Sequence, residues 1–188
     1  MGALIDWISQ PQTHGNLLIV AMPGVGDVGK LAIDAVNTEL DAEPIARILH
    51  PTLPPLARLD ENGLLVPPHL LLSRVEIDGK EVFTLTGDAQ PMTPEGQHEL
   101  AVTVLELFEG GEVLVLAGMS AEAQRKEVFS ITSSSSYRIE LESMGVDVRR
   151  DEPKAGVIGM AALITAIGPI KNVKTSCTIA TTVGNSAD

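Results

Sequence analysis

The chain has 188 residues, 44% of them hydrophobic and 20% charged, and this composition predicts one folded domain of residues 1–188 rather than a disordered segment. Its 25 acidic and 13 basic residues give a net charge of −12, which disfavours nucleic acid and anionic membranes as partners. No lysine or arginine precedes Lys30 and no apolar run is long enough to cross a bilayer, so we expect a cytoplasmic protein without a signal peptide.

The first elements predict a strand–helix–strand unit. Residues 16–22 form a short apolar run that ends at Pro23-Gly24, as in a strand buried on both faces. A helix is predicted over 27–40, and a second strand over 44–50. One side of this helix is apolar, and we expect it to face the core: Val28, Leu31, Ala32, Ala35, Val36 and Leu40.

The rest of the chain alternates strands and helices, which favours an α/β fold with a mixed sheet. A proline-rich loop over 51–68 leads to two strands around Asp78-Gly79, a sequence typical of a tight hairpin turn. Thr93 and Pro94 then begin a helix. Beyond it we predict a strand over 113–117, helices over 137–144 and 156–168, and a last strand over 175–183, and we leave residues 120–136 unassigned.

The strongest motif is the glycine-rich turn between the first strand and the first helix. Its residues 24–30 (GVGDVGK) satisfy both G-x-G-x-x-G and G-x-x-x-x-G-K, patterns in which backbone amides hold phosphate at a helix N-terminus. A dinucleotide site also needs an acidic residue at the end of the second strand, which ends here at His50-Pro51, and a phosphate loop needs Ser or Thr where Leu31 stands. We therefore favour a structural turn over an anion site or a nucleotide site, and expect magnesium ATP and NAD to bind more weakly than about 1 mM. The candidate residues are Gly24, Gly26, Gly29 and Lys30.

A second candidate site is the loop Gly87–Pro91 (GDAQP), which follows a strand and precedes a helix. Asp88 can serve there as an acid or base, with His98 one turn into the next helix. Alternatively, Asp88 and Gln90 hydrogen-bond the backbone of their own loop. We favour this second interpretation because no other carboxylate or nucleophile is tied to Asp88 by spacing.

The sequence contains no recognisable catalytic or metal-binding constellation. Its four histidines are scattered, the serines at 133–136 lack a G-x-S-x-G pattern, and Cys177 lies in a β-branched run typical of a buried strand. We therefore predict no catalytic residue, no metal ligand and no cofactor, and a binding protein rather than an enzyme.

The order of three segments resembles one protein family. A strand enters MPGVGDVGKLAID (Met22–Asp34), TGDAQP (Thr86–Pro91) precedes Gly96-Gln97, and GVIGMAALI (Gly156–Ile164) precedes the closing strand. In this order and spacing they are similar to the proteasome assembly chaperone 2 family, above all to its archaeal members, over nearly the whole chain. The resemblance implies a three-layer α/β/α sandwich like that of nucleoside phosphorylases and hydrolases, a chaperone or adaptor role without catalysis, homo-oligomers, and proteasome α subunits as partners.

The end of the chain departs from the pattern of that family. Its members continue with C-terminal helices and a tail whose hydrophobic–tyrosine–any ending docks into the α ring, whereas this sequence ends in GNSAD at residues 184–188. We expect either a shortened chain or a different mode of docking.

Two alternative functions stay open at this point. One is a nucleoside phosphorylase- or hydrolase-like enzyme, whose base pocket must draw on only five aromatic residues. The other is a small-molecule or anion sensor that uses the glycine-rich turn. The apolar segments 156–168 and 51–68 also predict self-association, because they offer more apolar surface than a domain of this size readily covers.

Overall fold

The computed structural model describes residues 2–184, which are organised around an eight-stranded mixed sheet. The ten strands are β1 (Leu4–Trp7), β2 (Leu17–Ala21), β3 (Glu43–Leu49), β4 (Arg58–Leu59), β5 (Leu65–Val66), β6 (Leu70–Ile77), β7 (Lys80–Gly87), β8 (Glu112–Ser120), β9 (Val128–Thr132) and β10 (Lys174–Thr182). Strands β4 and β5 form a separate small hairpin inside the proline-rich loop, and the other eight lie in the order β1-β3-β6-β7-β2-β8-β10-β9. The prediction of an α/β fold with a mixed sheet is confirmed.

The centre of the sheet is parallel and its flanks are antiparallel. Strands β7, β2, β8 and β10 run in the same direction, whereas β6 and β9 run against their neighbours β7 and β10. The predicted hairpin is confirmed as β6–β7, and its turn residues Asp78 and Gly79 have φ angles of 50° and 72°. A turn with two left-handed residues matches the twist of the strands, which is why an aspartate–glycine pair stands there.

Four helices cover both faces of the sheet: α1 (Val28–Glu39), α2 (Pro94–Leu107), α3 (Ser135–Ser143) and α4 (Gly159–Ile167). Helices α2 and α4 pack together over alternate strand residues such as Phe83, which belong to the main hydrophobic core. The adjacent strand residues point to the other face, where Thr84 bonds Asn37 of α1 and Glu112 bonds Tyr137 of α3. The arrangement is therefore helix, sheet, helix. None of the helices within residues 2–184 has the length and apolarity needed to cross a membrane.

Helices α2 and α4 agree with their predictions. The hydroxyl of Thr93 accepts the backbone N–H of Gly96 at 3.1 Å, which is the expected cap of α2. Helix α4 buries Met160 and Ile164, as predicted for the apolar segment 156–168, although it begins only at Gly159.

Helix α1 turns toward the sheet only part of the side that its apolar pattern predicts. Gly29 and Ile33 are buried, whereas Leu31 is 51% exposed, and Ala32 and Ala35 are exposed as well. The prediction that Leu31 lies on a buried face is therefore wrong. The remaining members of the predicted face are half-buried or exposed: Val28, Val36 and Leu40.

A close backbone contact explains this orientation of α1. At Gly29 the helix lies directly on β8, where a Cβ would be 2.4 Å from the carbonyl oxygen of Leu116. Because only glycine permits this approach, the side of the helix that carries Gly29 faces the sheet, and the part of the apolar stripe that carries Leu31 faces outward.

Candidate functional site

The parallel strands β2 and β7 are neighbours, and the chain leaves them toward opposite faces of the sheet. Strand β2 leads through the glycine-rich turn to α1, whereas β7 leads through the Gly87–Pro91 loop to α2 on the other face. A crevice opens beyond the carboxyl ends of two such strands, and α/β proteins commonly bind ligands there. The fold thus brings together the two loops that the sequence singles out.

In this protein the side chain of Gln90 bridges the crevice. Its Nε2 donates to the carbonyl oxygen of Pro23 over 2.8 Å, and its Oε1 accepts the backbone N–H of Met160 over 3.1 Å. Gly159, at a φ of 74°, lies against the same amide, since a Cβ there would be 2.8 Å from Oε1. Gln90 therefore joins the end of β2 to the start of α4, rather than bonding the backbone of its own loop as predicted.

The glycine-rich turn is likewise held by contacts within the protein. The backbone N–H of Gly24 donates to Oδ1 of Asp27 over 3.2 Å. Gly26, at a φ of 63°, is buried against Thr182, whose Oγ1 would lie 2.8 Å from an added Cβ. An N–H of the kind that faces phosphate in a nucleotide site is here bonded to a carboxylate, whose charge also disfavours an anion at the helix N-terminus. Together with the contact of Gly29, this geometry supports a structural role for the turn.

The side chains of Lys30 and Asp88 line a cleft of about 910 Å³ beside the turn. The cleft lies between α1, the strands β3, β6 and β7, and the proline-rich loop. Lys30 Nζ pairs with Asp34 at 2.5 Å, one turn along α1, and Asp88 pairs with Arg58 of β4 at 3.2 Å. The second pair ties the loop after β7 to the proline-rich loop.

One residue of the cleft has an unmet hydrogen-bonding capacity. Thr86, on β7, is only 7% exposed, and its hydroxyl finds no hydrogen-bond partner within residues 2–184. Leaving a buried hydroxyl unpaired costs about 1–3 kcal/mol in a folded protein. Thr86 is therefore a residue of this cleft at which the fold leaves a hydrogen bond unmade.

A third cluster, which the sequence does not predict, links the proline-rich loop to α2. Thr52 donates its backbone N–H to Nδ1 of His50 over 3.3 Å, so the imidazole proton is on Nε2, which donates to Oε2 of Glu99 over 2.7 Å. The hydrogen bond from His50 holds the pKa of Glu99 below its ordinary value. The hydroxyl of Thr52 lies 2.7 Å from Nδ1. The three side chains therefore follow the order hydroxyl, imidazole, carboxylate that a hydrolase triad has.

This cluster packs closely against α2. The hydroxyl of Thr52 lies against the backbone at Gly96, where an added Cβ would be 1.9 Å from it. The cluster therefore fastens the proline-rich loop to the helix. His50 and Glu99 are 49 residues apart, so no local spacing in the sequence predicts their contact.

Residues 18–188 match the family model described as PAC2 family. The chain belongs to the PAC2 family. An uncharacterised protein of Methanocaldococcus jannaschii is 24% identical to it over 178 residues, which are 92% of this chain and 67% of that relative. The resemblance drawn from the three sequence segments is thus confirmed.

Two solved PAC2-like structures share this fold over nearly the whole chain. Pyrococcus furiosus PbaB, an archaeal proteasome activator, matches with a TM-score of 0.82 at 20% identity, over 97% of this chain and 81% of its own. Pyrococcus furiosus PbaA, an archaeal homologue of proteasome-assembly chaperone, matches with a TM-score of 0.79 at 24% identity, over 100% of this chain and 76% of its own. The fold described above is therefore shared with these two archaeal structures.

In this PAC2 chain the aromatic side chains are used in the core. Phe83 and Phe108 pack edge to face with 5.4 Å between ring centroids, and Phe129 is also fully buried. Burial, together with a hydrogen bond to Glu112, raises the pKa of Tyr137. Within the described residues, no three side chains of His, Cys, Asp or Glu come together as a group that can hold a metal ion.

Proposed function

We propose that this PAC2 chain is a non-catalytic proteasome assembly chaperone or adaptor that forms homo-oligomers in the cytoplasm and binds proteasome α subunits. The likeness to PbaB over 97% of the chain carries the proposal. The site supports it, because the crevice in which α/β enzymes bind ligands is bridged by Gln90.

The test is retention of purified α subunits, taken from the organism that encodes this chain, on the immobilised protein. The buffer is kept at low ionic strength, so that contacts between charged surfaces are not screened. We expect α subunits to be retained and β subunits, the matched control, to pass through. Passage of both contradicts the proposed partner.

The alternative of a nucleoside phosphorylase- or hydrolase-like enzyme has less support. Such an enzyme stacks its base on an aromatic face, and the four buried rings of this chain already pack inside the core. The half-buried Trp7 is the one aromatic side chain left within residues 2–184. Release of free base from a panel of nucleosides in the presence of phosphate is the result that favours this alternative.

A second candidate function, the binding of a small polar molecule, is favoured by the unpaired hydroxyl of Thr86 in the cleft. This candidate assigns the sensing role to the cleft and to Lys30 rather than to the amides of the glycine-rich turn. Thermal-shift screening of polar metabolites compares the wild type with Thr86→Val, which removes the hydroxyl and keeps the shape. A ligand of the cleft raises the melting temperature of the wild type more than that of the variant.

Calorimetric titration with magnesium ATP and NAD examines the turn itself. We expect affinities weaker than about 1 mM, or about −4 kcal/mol, in both the wild type and Lys30→Ala. A micromolar affinity that disappears in Lys30→Ala overturns the structural interpretation of the turn.

A further inference from the structure

A row of three side chains crosses the sheet at the bottom of the cleft. Thr84 of β7 bonds Asn37 of α1, so Thr86, two residues further along the strand, points to the same face of the sheet. In the register of the sheet Thr86 lies opposite Leu71 of β6, and Leu71 lies opposite Arg47 of β3. Opposed residues of neighbouring strands point to one side, so Thr86, Leu71 and Arg47 form a row, and all three line the cleft.

This row has a polar group at each end and an apolar side chain between them. At one end the hydroxyl of Thr86 is buried and unpaired. At the other end Arg47 makes one ion pair within residues 2–184, to Asp6 at 3.4 Å. That distance is longer than the about 2.7–2.9 Å of a close charge-assisted hydrogen bond, so the guanidinium keeps donors for a ligand. Two strand spacings of about 4.8 Å separate the backbones of Thr86 and Arg47 by about 10 Å.

We propose that this cleft binds a small organic carboxylate, with its carboxylate on Arg47, its apolar body on Leu71 and a second polar group on the hydroxyl of Thr86. The inference rests on the second candidate function, ligand binding in the cleft, and names the class of ligand. A planar guanidinium holds a carboxylate through two parallel hydrogen bonds. The volume of about 910 Å³ lies in the range of small-molecule sites, which is about 300–1,000 Å³.

The charges around the cleft favour a carboxylate over a phosphate. Asp34 is already paired with Lys30, and Asp88 with Arg58. Two further carboxylates line the cleft: Asp60, which accepts two backbone N–H groups of its own turn, and the exposed Glu61. These acidic neighbours repel a phosphate, which carries close to two negative charges, more strongly than a ligand with one. A single guanidinium therefore matches a single carboxylate.

Calorimetric titration with ω-hydroxy acids tests the proposal. The ω-hydroxy derivatives of butyrate, hexanoate and octanoate are the probes, because each has a carboxylate and a hydroxyl at opposite ends of an apolar chain. We expect at least one of them to bind the wild type with a Kd of about 1 mM or tighter. The amino alcohols of the same chain lengths reverse the charge and are expected not to bind.

Two variants test the ends of the row. Arg47→Met keeps an apolar stem and removes the guanidinium, so we expect it to weaken binding of the hydroxy acid at least about ten-fold. The matched control is Arg150→Met, which removes an exposed arginine outside the cleft and is expected to leave the affinity unchanged.

Thr86→Val removes the hydroxyl at the buried end. We expect it to weaken binding of the hydroxy acid about five-fold and to leave binding of the plain acid, which lacks the second polar group, unchanged. The melting temperature of the unliganded variant is expected not to fall, because the hydroxyl has no partner to lose. A fall in that temperature together with an unchanged affinity for the hydroxy acid assigns Thr86 a structural role and contradicts the proposal.

Three further results overturn the inference. The first is a failure of all three hydroxy acids to bind, and the second is an Arg47→Met variant that binds them as the wild type does. The third is binding of the amino alcohols, or of inorganic phosphate, in preference to the acids, which assigns the cleft to another class of ligand. A failure of the proposed assembly role is distinct, because α subunits then pass through the column while the acids still bind.

Discussion

Gln90 bridges the crevice at the centre of this α/β fold, where such folds commonly bind ligands. A single amide satisfies the carbonyl of Pro23 and the N–H of Met160, groups that belong to segments 67 and 70 residues away. We expect Gln90→Ala to lower the free energy of unfolding by roughly 1–3 kcal/mol, because both backbone groups lose their partner. Urea denaturation measures the change, and the exposed Gln124→Ala is the control.

The pair of His50 and Glu99 makes stability depend on pH at the acidic end. The pKa of Glu99 is lowered from 4.5 by the hydrogen bond from His50, so the folded state favours the carboxylate. The resulting stabilisation is present above pH 4.5 and is lost as the pH falls through the lower pKa of the folded state.

Glu99→Gln removes this dependence on pH. We expect the variant to be less stable than the wild type at neutral pH, and the difference to shrink as the pH falls below 4.5. Thermal unfolding across this range measures the difference, with Glu61→Gln at an exposed turn as the control. A difference that does not change with pH contradicts the role assigned to the carboxylate.

At the scale of the element, two glycines of the same turn provide a matched pair. A methyl group at Gly29 meets the carbonyl oxygen of Leu116 at 2.4 Å, whereas at Gly24, with an extended φ of −164°, the nearest atom is 3.8 Å away. We expect Gly29→Ala to cost about 1–3 kcal/mol or more, because α1 must move off β8. Gly24→Ala is expected to change stability by less than about 0.5 kcal/mol in the same denaturation experiment.

The local sequence pattern predicts most helices and strands of this protein. It fails where a contact between distant segments determines the structure. The hairpin turn at Asp78 and the cap at Thr93 are encoded within a few residues, and both are found as predicted. The face of α1 that packs against the sheet is not encoded locally, because it is set by the contact of Gly29 with β8 rather than by the position of Leu31. Strand β9 is missed for a related reason, since an edge strand with an exposed Val128 shows little apolar alternation.

The candidate site is likewise predicted only in part by the sequence. The sequence identifies both loops at the crevice, since they carry recognisable glycines between a strand and a helix. It does not show that Gln90 bridges them, or that Asp88 pairs with Arg58 of the proline-rich loop. Those partners are chosen by the packing of the three layers, which no spacing in the chain records.

At the scale of the whole molecule, the thiol of Cys177 reports on global opening. The side chain is 1% exposed in β10, and burial raises its pKa to about 12. We expect Ellman's reagent to react with the native protein only at the rate of unfolding, and rapidly in urea. The added thiol of Val128→Cys, at an exposed site, is expected to react at once in the native protein, and fast reaction of Cys177 itself contradicts the buried assignment.

The order of strands in the sheet has a consequence for how the protein is made. Strand β2 is synthesised well before its two neighbours in the sheet, β7 and β8, which end at Gly87 and Ser120. The apolar segment LLIVA therefore waits without its sheet partners while about a hundred further residues are synthesised, at about 5–20 residues per second. Closure of the sheet is consequently a late and slow event, because each central pairing spans a long stretch of chain. For several seconds the nascent polypeptide therefore exposes an unpaired apolar strand, which is the kind of segment that aggregates or is bound by chaperones.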